Sequence, residues 1–63
     1  MATEYIVGVT RKNNTKVGNW VSGGPGECTY KREEATRYAT REEAAVVARR
    51  ETDGKWRGVV QPA

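Results

Sequence analysis

Two groups of basic residues have the types and spacing to bind an anion: Arg11, Lys12 and Lys16, and then Arg49, Arg50, Lys55 and Arg57. If the fold brings them together they form a basic stripe for phosphate oxygens, beside which Trp20 or Trp56 can stack on a base. The acids Glu33, Glu34, Glu42 and Glu43 lie between the two groups in the chain. A formal charge of +3 over 63 residues permits an anionic partner without demanding one. A nucleic-acid reading therefore names Arg11, Lys12, Lys16, Arg49, Arg50 and Lys55.

The same composition also suits protein binding. Interface centres favour Trp, Tyr and Arg, and the chain has two Trp and three Tyr but no Phe and no Leu. That reading names Arg11 and Lys12 on a hairpin, Trp20 on a sheet and Arg57 on the last strand, with a partner protein or a second copy of the chain as ligand. The bland alternative for each Trp is the core of a very small domain. A chain of this length buries only about 60% of the surface its unfolded form exposes, and a homodimer would relieve the shortage.

Other chemistries find little support. With no His and a single Cys there are no ligands for a closed zinc site and no Cys-His or Ser-His nucleophile pair. Glu33-Glu34 and Glu42-Glu43 are adjacent pairs, and adjacent helical residues do not face one point, so they read as solvated faces rather than as an acid/base couple. The stretch at residues 22–26, SGGPG, lacks the Lys-Ser or Lys-Thr of a phosphate loop, and Pro25 removes an N–H donor. The expectation is a chain that is not an enzyme and takes no cofactor or metal. A lone Cys28 with no disulfide partner suits a reducing compartment. No leader and no apolar run near the roughly 20 residues of a membrane span are present, so the expected place is the cytoplasm.

The elements that must position these residues are organised around residues 40–51, TREEAAVVARRE. Thr40 and Glu43 have capping-box spacing, acids open the segment and Arg49 and Arg50 close it, as the helix dipole prefers. Gly54 is placed to end the helix in the left-handed conformation. Ala44, Val47 and Ala48 share one face, too little apolar surface for a helix to stand alone.

Residues 5–10 (YIVGVT) read as a first strand, with Tyr5, Val7 and Val9 on one side and Ile6, Gly8 and Thr10 on the other. Gly8 invites a close approach by a backbone or an aromatic ring. Residues 11–16 read as a hairpin tip, Asn13 and Asn14 suiting left-handed positions. Residues 17–22 return, with Trp20 opposite Val17 and Val21. The glycine-rich run then breaks regular structure. Residues 28–30 can add a brief edge, and Thr29 can cap a short helical segment over residues 31–35. Residues 55–61 (KWRGVVQ) form the last strand, which Pro62 stops.

The fold expected is one α+β domain over residues 1–63. It is a three-stranded antiparallel sheet of order 2-1-3, in the sequence ββ(α)αβ, with one main helix on one face. The opposite face is incompletely polar and its edge strands can accept a partner strand, which is the structural hint of a protein ligand.

The pieces Tyr5-Ile6-Val7, Trp20-Val21, the segment at residues 31–38 and Thr40-Arg41-Glu42-Glu43-Ala44 together resemble small accessory proteins of bacteriophages and prophages. These share a strand, a second strand with an aromatic, a charged segment ending in an aromatic, and a helix opened by T-x-x-E-A. The resemblance covers most of the chain and implies a host-directed binding protein, such as an inhibitor of a host enzyme. It assigns no site residue.

Overall fold

The computed structural model describes residues 3–14, 16–24 and 26–63. Met1 and Ala2 of the expected loose start, Thr15 of the hairpin tip and Pro25 of the glycine-rich run lie outside the described residues. Strand β1 runs Tyr5–Arg11, β2 Asn19–Val21, β3 Cys28–Thr29 and β4 Trp56–Pro62, with a 3-10 turn at Arg32–Glu34 and helix α1 at Arg41–Arg50. The sheet is four-stranded and antiparallel in the order β3-β2-β1-β4.

This corrects the three-stranded expectation. The glycine-rich run, read as a turn that breaks regular structure, joins β2 to β3 as a second hairpin. Gly23 (φ 101°) and Gly26 (φ 78°) take backbone conformations that L side chains resist, so the chain reverses within a few residues. The Ser22 N–H donates to the Glu27 carbonyl at 2.9 Å, and the reversal pairs Cys28 with Val21 and Thr29 with Trp20. The strand expected second is thereby covered on its outer edge.

Helix α1 begins as its sequence predicts, the Glu43 N–H donating to the Thr40 hydroxyl at 3.2 Å. Ala44, Val47 and Ala48 are the buried face and pack with Val7, Val9 and Val21. The helix end differs from expectation, because Gly54 does not adopt positive φ. Instead the Thr52 hydroxyl donates to the Ala48 carbonyl at 2.8 Å and accepts the Gly58 N–H at 3.0 Å. One hydroxyl therefore ties the last turn of the helix to β4.

The opposite face holds a second, smaller core of Ile6, Trp20 and Ala35, with Val17 against it. Trp20 lies over Gly8, where an added Cβ would sit 3.1 Å from the ring. The close approach anticipated at Gly8 is thus made by Trp20 together with the still nearer Val17 side chain. Val17 and Trp20 share this face, contrary to the expected alternation, because β2 starts only at Asn19 and strand periodicity does not extend to Val17. Arg32 places its guanidinium 5.5 Å from the Trp20 ring centroid and donates to the Pro62 carbonyl at 2.8 Å. The face expected to stand open is partly roofed.

Main-chain pairing decides what the β4 edge can do. Lys12 donates to Lys55 at 3.1 Å and Ala63 to Glu4 at 2.8 Å. Antiparallel alternation then turns the backbone groups of residues 57, 59 and 61 toward β1 and those of 56, 58, 60 and 62 outward. Of the outward set, Trp56 exchanges both its groups with Asp53, and Gly58 donates to Thr52. Pro62 has no N–H, and its carbonyl accepts from Arg32. An incoming strand finds a free donor and acceptor together only at Val60, so strand addition at this edge, one of the two edges expected to accept it, is blunted.

The β1–β2 connection folds onto Thr10, which is 2% exposed. Its hydroxyl lies 2.7 Å from the Lys16 carbonyl, the nearest of its acceptors. Neither Asn13 nor Asn14 takes the left-handed conformation expected of them. The Asn14 side chain accepts the Lys16 N–H at 3.0 Å instead. Thr10→Val keeps the shape and removes the donor, so it should cost about 1–2 kcal/mol in urea unfolding.

Candidate functional site

The site is built where β1 ends and β4 begins. Register sets Arg11 opposite Trp56 and Thr10 opposite Arg57. The Lys12–Lys55 backbone bond extends the ladder by one step, and Lys16 is held through the Thr10 hydroxyl. Arg11, Lys12, Lys16, Lys55 and Arg57 therefore share one end of the sheet. Asp53 is the acid among them. Five of the eleven cations and one of the eight acids give this end a net +4, leaving six cations and seven acids, net −1, on the rest.

Trp56 is the apolar member of the cluster. It is half-buried against the Val7, Val9 and Val47 core, and the Arg11 Cζ lies 5.3 Å from its ring centroid. Arg11, Lys12, Asn13, Gly54, Lys55 and Trp56 line an open depression of about 420 Å³.

Asp53 fixes the geometry of the turn. Its carboxylate accepts the N–H of Lys55 at 2.7 Å and of Trp56 at 2.8 Å. These two bonds hold its pKa below the ordinary carboxylate range, and the charges of Lys12 and Lys55 add to the effect. A lowered carboxylate pKa contributes stability that is present above its unfolded value and lost as pH falls through the folded one. Asp53→Ala should accordingly lower the melting temperature at neutral pH, with the deficit against the parent shrinking in strong acid. Asp53→Asn, which keeps one acceptor oxygen, should fall between them.

The residues named for a protein ligand do not come together. Arg11 and Lys12 meet at this end, but Trp20 is 9% exposed beneath Arg32 on the other face. Arg57 pairs with Thr10 and shares the Trp20 face. Of the residues named for nucleic acid, Arg11, Lys12, Lys16 and Lys55 gather. Arg49 and Arg50 occupy the last turn of α1, with Arg50 Nε 3.5 Å from Glu51 Oε2. Trp56 was named only beside Trp20 as a surface on which a base can stack, and Asp53 was not named for either ligand. The signal for Trp56 was its place between Lys55 and Arg57, and for Asp53 the Asp-Gly pair between helix and strand.

Cys28 is exposed, and partial burial followed by the Glu51 carboxylate raises its thiol above the usual range. The thiolate is disfavoured there. Among the described residues no cluster of His, Cys, Asp and Glu could hold a metal ion. No described helix is long and apolar enough to cross a membrane. The chain matches no protein-family model, no curated protein and no solved structure.

Proposed function

We propose that the chain is a non-enzymatic binding module for nucleic acid, acting in the cytoplasm through Arg11, Lys12, Lys16, Lys55 and Arg57. The observation that carries this reading is the sharing of one end of the sheet by five cations, three of which, Arg11, Lys12 and Lys55, line the depression beside the half-buried Trp56, while Lys16 and Arg57 lie outside its lining. Cations so placed exchange condensed counterions for phosphates, and an aromatic at their centre adds contact area. The test is binding of a labelled oligonucleotide by fluorescence anisotropy over a salt series. Contact with about four phosphates gives a slope of log affinity against log salt near −3 for a single strand. Absence of binding at low salt, or affinity indifferent to salt, would refute the reading.

A second reading keeps the same end of the molecule and gives it a protein partner with an acidic surface. Its support is the Arg11–Trp56 pair, since these residue types are favoured at interface centres. The resemblance to phage accessory proteins favours a host protein in that role. Capture from bacterial lysate separates the two readings. Material lost on nuclease treatment belongs to the first, and one acidic protein retained through it to the second.

A further inference from the structure

Resting on the nucleic-acid reading, we propose that the strand bound is single, and that one of its bases lies flat on the Arg11 guanidinium, which Trp56 holds in place. Arg11 and Trp56 are directly opposed on the ladder, so both side chains leave the same face of the sheet. Trp56 is anchored by its packing against the core and by the two bonds its backbone makes with Asp53. Arg11 is exposed and rests 5.3 Å from the ring centroid, beside the open depression. A guanidinium plane is a stacking surface for an unpaired base. One already seated on an indole has given up much of the side-chain freedom that binding would otherwise remove. Lys12 and Lys55, joined by their backbone bond, flank the depression and supply point charges for the adjoining phosphates.

A duplex suits this end poorly. Its bases stack on one another and offer no free face. Nor does the fold offer a helix for the major groove. Helix α1 lays Ala44, Val47 and Ala48 on the sheet and opens with Glu42 and Glu43, placing acids at the end that groove-reading helices turn toward bases.

The experiment compares three labelled ligands on the intact chain: a short oligothymidylate, an abasic strand of the same length, and a duplex of the same length. The oligothymidylate should bind roughly tenfold more tightly than the abasic strand, and more tightly than the duplex. Arg11→Lys keeps the charge and loses the plane. It should bring the oligothymidylate down to the level at which the same variant binds the abasic strand. Equal, salt-dependent binding of the base-bearing and abasic strands would overturn the stacked base and leave the phosphate reading standing. Tighter binding of the duplex would overturn the single-strand preference. No binding of any ligand at low salt would overturn both the inference and the reading beneath it.

Discussion

Gly58→Ala should lower the melting temperature by roughly 15 °C, the largest effect expected of any single methyl group in this chain. Gly58 lies in β4 where α1 crosses the sheet. A Cβ built there would fall 2.7 Å from Ala48 Cα and 2.8 Å from the Ala48 carbonyl carbon, and closer still to its oxygen. These are backbone atoms, so no rotamer change relieves the overlap and the helix must lift. Lifting it opens the contacts of Ala44, Val47 and Ala48, and pulls Thr52 from the Gly58 N–H. Forced overpacking costs about 1–3 kcal/mol, against a total stability near 3–9 kcal/mol for a domain of this length at typical values per residue. Gly8→Ala is the internal comparison. Its nearest clash, at 2.6 Å, is with the end of the Val17 side chain, which can move. It should cost about a third as much. Thermal unfolding followed by circular dichroism measures both, and equal losses would show that the helix does not sit tight on β4.

The same closeness explains the composition. A chain without Leu or Phe reads as short of core, yet the helix here needs small residues where it meets the sheet, and Ala44, Ala48 and Gly58 are that contact. The helix was legible because its signals are local: Thr40 and Glu43 in sequence, and the spacing of Ala44, Val47 and Ala48. The pairing of β4 beside β1 followed from the helix carrying the chain over the first strand, a right-handed crossover. Residues 28–30 read as a brief edge, but the strand count leaves that edge out; it is β3, a two-residue strand reached through positive φ at Gly23 and Gly26. Such a glycine-rich run reads as a turn whether or not the chain beyond it pairs back, and only pairing with β2 makes it a hairpin. The helix end escaped for a related reason. Asp53 and Gly54 were both present, but the turn is made by a carboxylate accepting two N–H groups, so Gly54 is not needed in the left-handed conformation.

The site was legible in its charges and not in its centre. Lys12 and Lys55 are far apart in sequence and adjacent in the sheet, and no periodicity predicts that adjacency without the register of β1 on β4. Trp20 and Trp56 were symmetric on the page. Register separates them, laying Trp20 across Gly8 under Arg32 and leaving Trp56 at the end of the ladder beside the cations.

The double charge reversal Lys12→Glu with Lys55→Glu should weaken oligonucleotide binding by roughly a hundredfold at low salt. The two residues flank the depression and neither belongs to the buried core, so the fold should survive, with a melting temperature lowered only by the loss of their charges beside Asp53. Their removal turns a net +4 end into a neutral one, by four units of charge. Lys31→Glu with Arg37→Glu makes the same change in net charge on the opposite part of the surface, where each residue pairs only with an exposed acid, Glu34 and Glu4 respectively. Exposed pairs of this kind contribute about 0–1 kcal/mol, so this control should also fold. If binding responds to net charge alone, the two double variants will fall together, and the end of the sheet has no special place in the function. If the ligand is held at that end, the control should lose only a few-fold through the long-range field, an effect that salt near 0.15 M largely screens beyond about 8 Å. The salt slope of the Lys12 and Lys55 variant should then flatten, because the phosphates those two side chains neutralise no longer release their counterions.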